Sequence, residues 1–232
     1  MASSRSSSSS ARVAEPDDRA FVLRVSPYGE SDAVVKLLTE RRGIVSAIGK
    51  RAKRRMVLEP FHTLRVSLAK GGGELFSLRA AEVGQARIGL LSRAEALDAA
   101  GVCTRWTRSL CPEHTEEKVV FSALERALDM LDVGAAVAPL ETAFGLVLLE
   151  SLGFALELDG CARCGRPRPR GKAALLAGRH GGVVCAACRA GSEAGYTEIA
   201  GAVLDLAADD PWALRDGGLA PIVAAAVEAR TP

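Results

Sequence analysis

The chain has 232 residues, 48% of them hydrophobic, which is enough for the core of one large domain or of two small ones. No apolar run reaches the roughly 18 residues of a membrane span, and the N-terminus lacks the apolar centre of a signal peptide, so we expect a soluble cytoplasmic protein with no membrane partner. The net charge is only +2, but it is unevenly distributed: residues 18–86 carry 13 Lys and Arg against seven Asp and Glu, whereas residues 87–232 carry 15 Lys and Arg against 19 Asp and Glu. This distribution indicates a polyanionic partner for the first part of the chain and protein partners for the second.

Strand-like segments follow a Ser-rich tail. Residues 1–17 have almost no large apolar side chains, so they cannot offset the entropy of ordering and are predicted to be disordered. Residues 18–86 contain five short apolar segments separated by turn-forming residues, at 21–26, 33–39, 44–49, 63–70 and 75–83. Five strands with tight turns predict a small β-barrel, most simply an OB-fold, with an SH3-like barrel as the alternative.

The hydrophobic period becomes helical over residues 87–232. Ser92 and Glu95 form a capping-box pattern at the start of a first helix, which Pro112 stops. A second helix is predicted to open at Thr115 and a third near Pro139. The remaining helical features are the end of the third helix at Gly153, a fourth helix through Ile199, Val203 and Leu206, and a last helix over residues 218–230. The predicted fold class is α+β, with the barrel followed by an all-helical domain that contains an inserted cysteine module at residues 160–190.

The cysteine module has the spacing of a metal site. Two CxxC pairs are formed by Cys161 with Cys164 and Cys185 with Cys188, and glycines beside them suit the tight turns of such a site. Four thiolates leave no open coordination position, so we predict one structural Zn²⁺ ion. The alternatives are a catalytic or redox role, an iron–sulfur cluster, or a site that has lost its metal. The other two cysteines, Cys103 and Cys111, are expected to be ordinary thiols on a helix and in the following turn.

A basic run lies between two predicted barrel strands. Seven Lys and Arg and no acid occur from residue 41 to residue 55. They are Arg41, Arg42, Lys50, Arg51, Lys53, Arg54 and Arg55. Such a run predicts a nucleic-acid-binding loop that contacts phosphates, while a solvated surface loop is the alternative. Aromatic residues make up only 4% of the chain, so phosphate contact should outweigh base stacking.

The cysteine module is also basic, with seven Lys and Arg and no acid over residues 160–192. Its arginines either contact nucleic acid as a second site or pair with acids of the helical domain. The chain contains no phosphate-binding P-loop, GxSxG or HExxH pattern, so we predict that it is not an enzyme. A zinc-containing RNA-binding or regulatory module, and a zinc-dependent nucleic-acid hydrolase, are the alternative functions.

Four segments of the chain match a known pattern together: "VLRVSPYGESDAVVKLLTERRGIVSAIGKRAKRR", "LEPFHTLRVSLAKGGGELFSLRAAEV", "FGLVLLESLGFALELDGCARCG" and "VVCAACR". In this combination they resemble the bacterial recombination mediator family RecO. The resemblance implies an N-terminal OB-fold and a helical domain with a four-cysteine zinc site. It places Cys161, Cys164, Cys185 and Cys188 on the zinc ligands and residues 50–55 on a DNA-contacting region.

The same resemblance implies a role in DNA repair and homologous recombination. Members of the family bind single- and double-stranded DNA and anneal complementary strands. With RecR and sometimes RecF, they load RecA onto DNA that is coated by the single-strand-binding protein SSB, and some bind the acidic C-terminal tail of SSB. A cytoplasmic protein associated with the nucleoid is therefore expected.

Overall fold

A computed structural model of the chain describes residues 18–52, 56–70, 73, 75–189 and 195–231. The predicted disordered tail, residues 1–17, lies outside the described residues, as do three members of the basic run, Lys53, Arg54 and Arg55.

The first part of the chain is a closed five-stranded barrel. Its strands are β1 Asp18–Tyr28, β2 Asp32–Thr39, β3 Gly43–Gly49, β4 Thr63–Lys70 and β5 Phe76–Gln85. The order around the barrel is β1, β2, β3, β5, β4, and every neighbouring pair is antiparallel except β3 and β5, which are parallel. This arrangement confirms the predicted OB-fold barrel.

The second part is mainly helical, with a small sheet that the sequence did not indicate. Its helices are α1 Ala94–Leu110, α2 Lys118–Asp132, α3 Val137–Ser151, α4 Ala186–Arg189, α5 Gly201–Asp209 and α6 Ala220–Glu228. The sheet consists of β6 Ala174–Ala177, β7 Gly182–Val184 and β8 Thr197–Ile199, in the order β7, β6, β8. Ile199 was expected on a helix, and this was wrong: it ends β8, pairs with Ala174 and is buried, and α5 begins only at Gly201.

The predicted capping box was also wrong. The Ser92 hydroxyl donates to the carbonyl of Gly89 at 2.7 Å, inside a short 3-10 turn, and Glu95 forms an ion pair with Arg93 at 2.9 Å. Helix α1 therefore begins at residue 94 with no side-chain cap. Helix α2 likewise begins three residues later than Thr115, its predicted first position.

The barrel and the helices share one hydrophobic core. Phe21, Leu38 and Ile44 of the barrel lie in the same buried cluster as Phe121 of α2 and Phe144 of α3. The rings of Phe21 and Phe121 have centroids 5.0 Å apart. The interior of the barrel and the space between α3, α5, α6 and the small sheet form two separate clusters. One end of the barrel is thereby packed against the helical domain.

A buried arginine joins the two parts. The Arg87 side chain is completely buried. Its Nη1 donates to the barrel, to the carbonyl of Phe61 and to the Thr63 hydroxyl, each at 3.0 Å. Its Nε donates to Asp129 of α2 at 2.7 Å. Its guanidinium also lies over the ring of Phe21, 5.6 Å from the centroid. A buried guanidinium with neutral and charged acceptors on both parts fixes their relative position.

Candidate nucleic-acid interface and metal centre

The basic run is divided by strand β3. Arg41 and Arg42 precede Gly43, the first residue of β3, and Lys50 and Arg51 follow its last residue. Seven residues of extended chain place the two pairs about 20 Å apart, at opposite ends of the barrel. The run is therefore not a single positively charged loop, and its members have different surroundings.

Arg42 belongs to a structural ion pair. Its Nη1 lies 2.6 Å from a carboxylate oxygen of Asp18, whose side chain is fully buried. Burial raises the pKa of Asp18, and the Arg42 charge opposes that rise. Next to this turn, a Cβ at Gly43 would lie 1.7 Å from the carbonyl oxygen of Thr115, so the turn packs directly against the segment that leads into α2. This end of the barrel faces the helical domain.

The opposite end of the barrel is exposed. Lys50 and Arg51 lie there with exposed side chains, and the backbone N–H of Arg51 donates to Asp32 at 2.7 Å. The β1–β2 turn over residues 29–31 lies at the same end, because Ala33 pairs with Gly49. Phe76 at the start of β5 lies instead toward the helical domain, where its ring is 6.3 Å from that of His114. Oligonucleotides bind OB-folds at the loop between strands 1 and 2, among other places, and at the face formed by strands 2 and 3.

The strand register identifies functional candidates that the sequence analysis missed. Arg24 of β1 pairs with Lys36 of β2, and Tyr28 pairs with Asp32. Cross-strand partners project on the same face, so these side chains share the outer face of the barrel. Tyr28 is 57% exposed and is an aromatic ring next to the cationic end. We call this surface, formed by Arg24, Tyr28, Lys36, Lys50 and Arg51, the basic barrel face.

The sequence contains the cations of the basic barrel face, but it does not show that they lie side by side. Arg24 and Lys36 stand alone in the sequence, and only the pairing across β1 and β2 brings them together. That pairing depends on an irregularity between Val22 and Arg24, which turns the following residues of β1. Lys36 also forms an ion pair with Glu113 at 2.6 Å, so part of its charge is neutralised.

The four predicted metal ligands come together. The sulfur atoms of Cys161, Cys164, Cys185 and Cys188 all lie within 4.8 Å of one another, and the Sγ atoms of Cys164 and Cys185 are 3.8 Å apart. Sulfurs that share one tetrahedral zinc at about 2.3 Å are separated by about 3.8 Å, so the donor set and its size fit Zn²⁺.

The local backbone favours the thiolate form of Cys161 and Cys185, whereas contacts with the Cys164 and Cys185 sulfurs raise the pKa of Cys188 to about 12. Burial opposes ionisation of Cys161, but backbone N–H groups, that of Cys185 foremost, outweigh it and lower the pKa of this thiol to about 6. The N–H of Cys185 lies 3.4 Å from the Cys161 sulfur. Gly165 has φ +70°, as the tight turn after the first pair requires. Cys103 and Cys111 differ: both are buried and free, and burial raises the pKa of Cys111 to about 12.

Two arginines of the cysteine module pair with the helical domain. Arg168 contacts Asp205 of α5 at 2.5 Å, and Arg170 contacts Asp209 of the same helix at 2.5 Å. These bonds lower the pKa of both aspartates. A Cβ at Gly201 would lie 2.2 Å from the backbone of Gly171, so the module also packs tightly on the start of α5. The alternative in which the module's arginines pair with acidic neighbours therefore holds for Arg168 and Arg170.

A closed OB-fold barrel with a cationic exposed face, joined to a helical domain with a four-cysteine centre, defines a nucleic-acid-binding protein. Family models identify which one. The recombination protein O N-terminal model matches residues 14–87, and the recombination protein O C-terminal model matches residues 92–216. The chain belongs to the RecO family of DNA repair and recombination proteins.

Named relatives agree with this assignment. A DNA repair protein RecO of Anaeromyxobacter sp. (strain K) is 37% identical over 217 residues, which span 91% of this chain and 82% of that protein. RecO proteins of Myxococcus xanthus (strain DK1622) and Rubrobacter xylanophilus (strain DSM 9941) are each 35% identical, over 74% of this chain and 72% and 70% of their own lengths. The family consists of recombination proteins and not of enzymes, which confirms the prediction of a non-enzymatic role. In the part of the chain that the structure describes, no helix is long and apolar enough to cross a membrane.

Proposed function

We propose that this protein is a strand-annealing and mediator protein of recombinational repair, which binds single- and double-stranded DNA through the basic barrel face. The observation that carries the proposal is the exposed end of the barrel, where Lys50 and Arg51 lie beside the β1–β2 turn, one of the loops through which OB-folds bind oligonucleotides. Lys53, Arg54 and Arg55, which follow in the chain, belong to the same proposed DNA contact.

Annealing on such a surface needs no catalytic group. Two DNA strands repel each other through their phosphates, and a cationic surface lowers that repulsion while releasing condensed counterions. Binding through phosphates has little sequence preference, which suits a protein that acts on any damaged sequence. The exposed Tyr28 adds one ring on which a base can stack.

The proposed partners follow from membership of the family. They are RecR and, in some cases, RecF, the acidic C-terminal tail of SSB, and RecA as the protein that is loaded onto the DNA. We place the protein in the cytoplasm, at the nucleoid. The acidic balance of residues 87–232 supports a helical domain that contacts proteins instead of DNA.

We further propose that Cys161, Cys164, Cys185 and Cys188 hold one structural Zn²⁺ ion. Support comes from the closeness of the four sulfurs and from the backbone N–H groups directed at them. All four positions of a tetrahedral ion would be filled by sulfur, so the ion would hold the module on the helical domain and would leave no position for water or substrate.

The decisive experiment is a strand-annealing assay with complementary oligonucleotides, both free and coated by the cognate SSB. Annealing that is faster with the protein than without it, on both substrates, supports the proposal. Failure to accelerate annealing of free strands would contradict it. A preference for RNA over DNA in competition would favour the RNA-binding alternative instead.

A further inference from the structure

A cleft of about 350 Å³ lies between the barrel and helix α1, at the Arg24 edge of the basic barrel face. Its apolar floor includes Val25, Pro60 and Phe61, and its rim carries Arg24 of β1 and Arg105 of α1. The lining residues include two cations and no acid. The volume is at the lower end of the roughly 300–1,000 Å³ of ligand pockets, so the cleft admits one nucleotide unit and not a duplex.

A glycine and an arginine of α1 line this cleft together. Gly101 has no side chain, and the Arg105 guanidinium lies beside it, with Nη1 3.2 Å from where a Cβ at Gly101 would be. Glu141 of α3 is an acidic neighbour of Arg105, but it does not line the cleft.

Phe61 is held at the cleft in an unfavourable backbone conformation. Its φ is +70°, in the left-handed region that bulky residues rarely adopt. The bond from Arg87 to the Phe61 carbonyl maintains this conformation. Strained residues that the surrounding structure maintains cluster at binding sites, which is consistent with a role for this ring in a ligand contact.

We propose that the cleft is a second contact for single-stranded DNA, in which Arg24 and Arg105 bind phosphates and a base lies against Phe61 and Val25. This inference rests on the proposed function. It commits to single-stranded DNA because the cleft is continuous with the basic barrel face. Arg24 belongs to both, and Tyr28 and Arg24 are separated along β1 by about 13 Å of strand. The strand bound at the exposed barrel end would thus pass Tyr28 and follow β1 to Arg24 at the cleft.

Two variants test the cleft by different means. Gly101→Leu fills the cleft and shifts the neighbouring Arg105 guanidinium without changing any charge, and at a helical position with φ below zero it leaves the helix intact. Arg105→Gln removes the cation from α1. Their matched controls are Ser122→Leu, on the exposed side of α2, and Arg65→Gln, in an exposed barrel ion pair.

Affinity for a fluorescent oligo(dT) strand is measured at several salt concentrations. Gly101→Leu should weaken binding at least about fivefold, the lower end of what one stacked base contributes. Arg105→Gln should reduce the slope of log K against log salt by about 0.7, the effect of one lost phosphate contact. Both controls should bind as the parent protein does. A strand with 5-iodouridine should crosslink to the peptide that contains Phe61.

The outcomes separate this inference from the proposed function. Full affinity and slope in both cleft variants, together with a loss in Lys50→Gln/Arg51→Gln, would overturn the cleft contact and leave the proposed function standing. Full affinity in the barrel variant would contradict the proposed function itself. If a ten-residue peptide of alternating Asp and Leu binds and Arg105→Gln weakens only that peptide, the cleft is a peptide site and the inference is wrong.

Discussion

The division of the basic run by β3 gives the sharpest test of the DNA interface. We predict that the double substitution Lys50→Gln/Arg51→Gln weakens DNA binding strongly, whereas Arg41→Gln does so only slightly. Lys50 and Arg51 are exposed at the free end of the barrel, and Arg41 lies at the end that faces the helices. The double variant should remain folded, since Arg51 contacts Asp32 through its backbone N–H, which glutamine keeps.

The expected magnitude follows from counterion release. Each phosphate contact to a single strand contributes about 0.7 to the salt slope, so the loss of two contacts reduces the slope by about 1.4. Taking 1 M salt as the point where this contribution vanishes, affinity should fall about 65-fold at 50 mM salt and about tenfold at 200 mM. Fluorescence anisotropy of a labelled oligo(dT) strand at these concentrations measures both values. An equal loss in Arg41→Gln, or an unchanged slope in the double variant, would refute the assignment of the barrel end.

Three further variants probe the fold around the site. Cys164→Ser should lower the zinc content, measured by elemental analysis, below one ion per chain, and it should lower the melting temperature, measured by calorimetry, by at least about 5 °C. Equal zinc content and melting temperature in the variant and the parent protein would contradict a structural ion. Arg42→Gln should destabilise the protein by about 1–3 kcal/mol at pH 7, less than for a fully buried pair because Arg42 is partly exposed. The pKa of Asp18 is already raised and should rise further in this variant. The destabilisation should therefore be present at neutral pH and disappear as the pH falls through the raised pKa of Asp18, below which the carboxyl is neutral in both proteins; a pH-independent effect would argue against the pair. Arg87→Met should reduce the free energy of unfolding, measured in urea, by about 3 kcal/mol, because the acceptors on the barrel lose their donor. A loss below about 1 kcal/mol would show that Arg87 does not hold the two parts together.

The barrel strands were predictable because each carries a local signal. The segment at residues 63–70 alternates apolar and polar side chains and is bounded by turn residues, and β4 covers those same residues. The small sheet of the cysteine module was not predictable, since β7 and β8 have three residues each and are too short to show a period. Ile199 illustrates the consequence. Its burial is equally consistent with a helix or a strand, and only pairing with Ala174 decides between them.

The candidate site was predictable only where neighbours in sequence are also neighbours in space. The CxxC spacing brings two sulfurs of each pair together by local geometry, so the clustering of the four cysteines was predicted correctly. The basic run has no such constraint, because a strand passes through it and carries its two halves apart. Arg24 and Lys36 represent the opposite case: they are separated in sequence and adjacent across β1 and β2. Charge counts along a chain thus detect a cationic surface, but strand register determines which charges form it.

The way the barrel is attached bears on how a mediator can act. Arg87, the shared core around Phe21, and the bond from the His114 N–H to the Ile44 carbonyl at 2.9 Å all fix one end of the barrel to the helices. Lys50 and Arg51 of the basic barrel face lie toward the other end, so DNA bound there would leave the outer surface of the helical domain accessible to a protein partner. Because the attachment is packed and hydrogen-bonded, a partner on the helices and a DNA strand on the barrel would be held at a defined relative position. A fixed geometry of this kind lowers the entropic cost of bringing a bound protein and a bound strand together.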